Sequence, residues 1–180
     1  EGIHGFDAVC KEERTFSNNR AYQAQLSLNG GSFAKTKTAE FSFHGTGFDL
    51  ISECGTDTGM LMTVVRDSNG KAVRSYLVDT YFSGGGSSLF DGKIGVLDYQ
   101  VPVVRCMDLP QGNYQVTVSG CLTGGSGAAA SHGAIASYAA AVVREPQDIV
   151  EEVVSQLGLD DISPEDVRIL CMDAGSVLAD

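Results

Sequence analysis

The chain has 180 residues, 43% of them apolar, which is enough for one domain with a small appendage and excludes wholesale disorder. Its formal net charge is −11, so phosphate backbones and anionic bilayers repel it, and neither nucleic acid nor membrane is expected as a partner. The charge is uneven: residues 1–144 carry 13 acids against 11 bases, whereas residues 145–180 carry 10 acids and one base.

Glycine is abundant at 22 residues and proline scarce at four, the balance of many short strands joined by glycine-containing turns. No apolar run approaches the roughly 18 residues of a membrane span. The sequence opens on Glu1-Gly2-Ile3-His4 without a basic or apolar leader, so any export signal is expected upstream. The five cysteines (Cys10, Cys54, Cys106, Cys121 and Cys171) form no Cys-x-x-Cys pair, which excludes zinc-knuckle and dithiol motifs. They read as small buried hydrophobes or as one or two staples near strand ends.

Residues 1–20 read as polar and irregular. Tyr22, Ala24, Leu26 and Leu28 then alternate with polar residues, the period of a half-buried strand. Phe41 and Phe43 alternate next, and Gly45-Thr46-Gly47 implies a bulge or a close backbone approach before Phe48-Asp49-Leu50-Ile51. The clearest local signal is a hairpin over residues 60–81. Leu61, Thr63 and Val65 lead into Asp67-Ser68-Asn69-Gly70-Lys71, where a three-residue loop with Gly70 in the left-handed region closes the turn. That loop sets Val65 opposite Val73 and Leu61 opposite Leu77.

Residues 83–95 are rich in Gly and Ser and read as a loop. Tyr99, Val101 and Val103 resume the alternation, with Pro102 marking an edge strand or a bulge. Leu109-Pro110-Gln111-Gly112-Asn113 turns into a strand through Tyr114, Val116 and Val118. Residues 121–133 form a second small-residue loop, and residues 134–144 read as a last short strand, with a helix as the alternative that the alanines allow. After Glu145-Pro146, the residues Ile149, Val150, Val153, Val154 and Leu157 recur at helical spacing, with Gly158 ending the helix. Ser163-Pro164-Glu165-Asp166 has a helix-start pattern, and residues 167–172 fit a short helix or a strand. The pattern divides the chain into an all-β, antiparallel β-sandwich over residues 1–145 and an acidic helical segment over 146–180. The segment reads as a cap on the end of the sandwich, the start of a following domain, or a partner-docking helix.

Several of these pieces together carry a resemblance. They are Phe41-Ser42-Phe43-His44-Gly45-Thr46-Gly47-Phe48-Asp49-Leu50-Ile51-Ser52, Thr58-Gly59, the Asp67–Gly70 turn, Tyr76-Leu77-Val78-Asp79-Thr80-Tyr81, Tyr99-Gln100-Val101-Pro102-Val103, and Leu109-Pro110-Gln111-Gly112-Asn113-Tyr114-Gln115-Val116-Thr117-Val118. In order and spacing this stretch resembles a galactose-binding-like jelly-roll module of Gram-positive bacterial surface proteins. The resemblance implies a jelly-roll sandwich, an extracellular or cell-surface location, and a non-catalytic role in adhesion or carbohydrate binding. The alternative is a structural spacer or assembly module.

The chemistry-bearing residues are few. Gly124-Gly125-Ser126-Gly127-Ala128 lacks the last glycine of a nucleophile elbow. No spacing sets a cysteine beside His4, His44 or His132, and Gly45-Thr46-Gly47 lacks the rest of a phosphate loop. No catalytic residues are therefore assigned. Asp49, Asp57, Asp79 and Asp98 are loop-near carboxylates that suit a structural calcium; no other cofactor is expected. Sugar binding needs an aromatic face and planar polar groups. Tyr81, Phe82, Phe90 and Tyr99, with Arg74 and Asp79, cluster in sequence around the 83–98 loop and form the expected rim for a glycan or a surface-protein partner.

Overall fold

The computed structural model describes residues 7–10, 20–23, 34–55, 58–80, 98–122 and 145–172. The fold is mainly β. Strands β1 (Asp7–Cys10) and β2 (Arg20–Gln23) pair as a short antiparallel ribbon, so the polar opening of the chain holds a strand that its composition did not announce. The remaining strands are β3 (Ala34–Gly45), β4 (Phe48–Cys54), β5 (Met60–Arg66), β6 (Ala72–Asp79), β7 (Asp98–Cys106), β8 (Gly112–Leu122) and β9 (Val167–Cys171). Five of them form one sheet in the order β3-β8-β5-β6-β9, and β4 pairs with β7 as a two-stranded ribbon. One helix, α1 (Pro146–Leu157), follows β8 in the described chain. The expected loop at 83–95 and last strand at 134–144 lie outside the described residues.

The five-stranded sheet is covered on both faces. On one side the ribbon packs against it through Val65, Tyr76, Val78, Tyr114, Val116 and Val118 from the sheet and Val103, Val104 and Cys106 from β7. On the other side α1 lays Ile149, Val150, Val153 and Val154 over Met60, Met62, Val64, Leu77 and Cys121. The helix's apolar stripe is thus spent on its own sheet. This explains the run Met60-Leu61-Met62-Thr63-Val64-Val65, apolar except for Thr63: a strand covered twice needs apolar residues at both parities. The acidic segment is a layer and an edge of the sheet, since β9 runs parallel beside β6 with Tyr76 opposite Arg168. The sheet is therefore mixed rather than wholly antiparallel. Of the expected helical tail, α1 forms and ends on Gly158 at φ 66°. Ser163-Pro164-Glu165-Asp166 instead makes a single 3₁₀ turn, with no side-chain cap from Ser163, leading into β9.

The β5–β6 hairpin forms with Gly70 at φ 80°. The Asp67 carboxylate accepts hydrogen bonds from the backbone N–H groups of Asn69 and Lys71 at 2.8 and 3.0 Å. Its register corrects the expected one: Val65 lies opposite Arg74, and Leu61 opposite Val78, because Arg66 pairs with Ala72 and Val73 is an extra, bulged residue. A one-residue slip reverses faces. Leu61 accordingly joins the ribbon-side core and Leu77 the helix-side core. Pro102 sits at a bulge in the β4–β7 ribbon, as its missing N–H requires.

Two side-chain features hold the ends of this arrangement. The Tyr114 hydroxyl donates to the Pro110 carbonyl four residues upstream at 2.7 Å, a tyrosine corner at the start of β8, while its ring stacks on Phe43 with centroids 5.3 Å apart. Tyr114→Phe keeps the stack and loses only the bond, so urea denaturation is expected to show a loss of about 1 kcal/mol. At the opposite edge, Arg66 forks onto both Asp161 carboxylate oxygens and also donates to the Gly70 carbonyl, tying the hairpin turn to the α1–β9 connection. The hydrogen bonds from Arg66 hold the Asp161 carboxyl below its ordinary 3.8. A depressed carboxylate stabilises above its unfolded pKa and ceases to as pH falls through the folded one. Because Asp161 is about half exposed, the pair is worth at most roughly 0.5–1 kcal/mol. The stability difference between wild type and Asp161→Asn is expected to be constant from neutral pH down to about pH 5 and to vanish below the ordinary carboxylate range, as read by urea titrations at stepped pH.

Candidate binding surfaces

Alternation along β3 and β8 sends Phe41, Phe43, Tyr114 and Val116 into the ribbon-side core, so Ser42, His44, Asn113 and Gln115 leave by the opposite face. There α1 covers β5, β6 and the Cys121 end of β8, and these four polar residues are exposed. His44 and Asn113 are register partners across β3 and β8. The His44 Nδ1–H donates to Asn113 Oδ1 at 2.8 Å, and Gln111 Nε2 donates to His44 Nε2 at 2.9 Å. An amide oxygen accepts and an amide nitrogen donates, so this pairing sets a hydrogen on Nδ1 and holds the ring as an oriented plane between two amides. The Asn113 amino group and the Gln111 carbonyl keep hydrogen-bonding capacity for a ligand.

On the ribbon side of the same end, Asp49 and Arg105 are cross-strand partners. Arg105 Nε donates to Asp49 Oδ1 at 3.1 Å and a terminal nitrogen to Oδ2 at 3.3 Å. They border an open depression of about 870 Å³ whose other walls include Thr46, Met107, Asp108 and Pro110. The turns that build it are fixed to each other by the Leu109 N–H donating to Thr46 O at 2.9 Å. Gly47 allows that approach, because a side-chain carbon there would overlap the Cys106 carbonyl oxygen and reach 3.1 Å from Met107 Cα. The close backbone approach expected of Gly45-Thr46-Gly47 is present, at the corner where the chain leaves one sheet for the other.

Of the expected rim, Arg74, Asp79 and Tyr99 lie among the described residues. Tyr81, Phe82 and Phe90 lie outside the described residues. Tyr99 is exposed on β7. Arg74 and Asp79 are five positions apart on β6, an odd spacing that points them to opposite faces of the sheet; Arg74 is half-buried and Asp79 fully buried. As for calcium, Asp49 is engaged by Arg105, Asp57 and the Asp98 side chain lie outside the described set, and Asp79 is buried. Among the described residues no three His, Cys, Asp or Glu side chains form a metal-binding group.

Cys54, Cys106 and Cys121 are buried at or beside strand ends, and Cys171 is exposed. Burial pushes the Cys121 thiol up to about 12, which makes it inert at neutral pH. His44 bonds two amides rather than a thiol. No described helix is long and apolar enough to cross a membrane. The residues missed by sequence reasoning, Gln111 and Asn113 with His44 between them, were signalled only by polar residues at outward parity beside the Leu109–Tyr114 turn. No protein-family model matches the chain, and no curated protein matches it.

Proposed function

We propose that this chain is a non-catalytic, extracellular module of a bacterial surface protein, a galactose-binding-like jelly roll that serves adhesion by binding a glycan. The observation that carries the reading is the His44 array. Three planar polar side chains are exposed, and their mutual hydrogen bonds orient them before any ligand arrives. Such preorganisation lowers the entropic cost of binding hydroxyl groups. The Asp49–Arg105 pair and the depression beside it supply further planar polar groups at the same end.

Glycan-array screening followed by calorimetry tests the proposal. Binding to a host or cell-wall glycan is expected, and Gln111→Ala or Asn113→Ala is expected to weaken it about tenfold, the loss of one to two hydrogen bonds. Thermal stability should stay within about 0.5 kcal/mol of wild type, because both residues are exposed. Binding lost on Tyr81→Ala or Tyr99→Ala instead would place the glycan at the rim. No binding to any glycan would leave the spacer role as the better account.

A further inference from the structure

Among the described residues two ion pairs occur, Arg66 with Asp161 and Arg105 with Asp49. Arg74 and Arg168 belong to neither. Tyr76 and Arg168 are partners across the parallel β6–β9 pair, and Arg74 lies two residues before Tyr76, so all three leave the same face. Strand spacing and a two-residue rise set the two arginine Cα atoms about 8 Å apart. The Arg168 guanidinium carbon lies 6.0 Å from the centre of the Tyr76 ring, the outer range of a cation–π contact. Arg74 uses one nitrogen on the Val73 carbonyl at 2.7 Å and keeps its other donors. Tyr76 is a fixed floor between them: its ring is buried, and burial together with a hydrogen bond involving Cys106 pushes its phenol up to about 12, with both arginines close enough to oppose that rise.

We propose that this β6–β9 edge is an oxyanion site, in which Arg74 and Arg168 hold a carboxylate or sulfate group of an acidic saccharide. Two guanidiniums without carboxylate partners form a local positive field that the chain's overall charge does not cancel, since screening at physiological salt acts over about 8 Å. The adjacent acids Glu165 and Asp166 pair with neither arginine. Guanidinium is weakly hydrated and its planar fork matches both anions. The choice of a saccharide rests on the adhesive role proposed above, but the site lies across the sheet from His44 and does not use that array.

The test follows the arginine Nε–H signals of the ¹⁵N-labelled chain by NMR during titration with sodium sulfate, a sulfated dextran oligosaccharide, an oligogalacturonate and neutral dextran. Saturable shifts of Arg74 and Arg168 are expected with at least one acidic oligosaccharide and not with neutral dextran. Arg168→Gln, at an exposed position, should weaken binding about tenfold while leaving backbone spectra folded; Arg74→Lys should weaken it by removing the fork while keeping the charge. Gln111→Ala should leave it intact. Shifts with sulfate alone mean an adventitious ion only and overturn the proposal, as do shifts that persist unchanged in both arginine variants or no saturable shift at all.

Discussion

Gly47→Ala is expected to destabilise the protein by about 3 kcal/mol, at the upper end of overpacking costs. The added carbon would overlap the Cys106 carbonyl oxygen, and that obstacle is backbone, which no rotamer change removes. Relief requires the β3–β4 corner to move away from the end of β7, and the Leu109-to-Thr46 hydrogen bond holds those two segments together. The neighbouring Gly45 provides the control. A carbon there meets only Phe43 Cδ2, at 3.8 Å, an ordinary contact, so Gly45→Ala should leave the urea midpoint nearly unchanged. Equal losses at both positions would show that the corner does not depend on the close approach.

The second large effect concerns α1. Ile149 is fully buried between the helix and the sheet, and Ile149→Ala is expected to cost about 3 kcal/mol, transfer and cavity terms together. Glu151, exposed on the same helix, should tolerate alanine. A chain ended at residue 144 should fail more completely. It would open Met60, Met62, Val64 and Leu77 to water and strip β6 of its parallel neighbour. Loss of near-UV circular dichroism and binding of an apolar dye are the expected readouts. A cooperative, soluble truncated chain would show that the sheet does not need its helical layer.

Local signals were legible wherever the cause was local. Gly70 and Gly158 take the positive φ that their surroundings demand, and the stripe from Ile149 to Val154 is the buried face of a helix. Non-local facts were not. The bulge at Val73 shifts the hairpin by one residue, and only the facing strand records it. The stretch after Ser163 has the composition of a helix start, yet β6 offers it an open strand edge and tertiary pairing prevails. Arg74 and Asp79 are close in sequence but separated by the pleat. His44 and Asn113 are 69 residues apart and meet only because β3 pairs with β8 in one register. The His44 array was therefore the least visible of these features from the sequence.

The pairing of β6 with β9 also sets an order of events. Ser75 joins the sheet opposite Val167, a loop closure of about ninety residues, and such distant contacts slow folding. While the chain emerges from the ribosome, β5 and β6 exist as a hairpin well before their outer neighbour or their covering helix has been made. For that interval a strand edge and the row Met60, Met62, Val64 stand open, the condition in which β-rich intermediates associate. The acidic character of residues 145–180 bears on the close of this interval. Those residues arrive as a like-charged, solubilising stretch, so the segment that completes the sheet also keeps neighbouring chains apart while it docks.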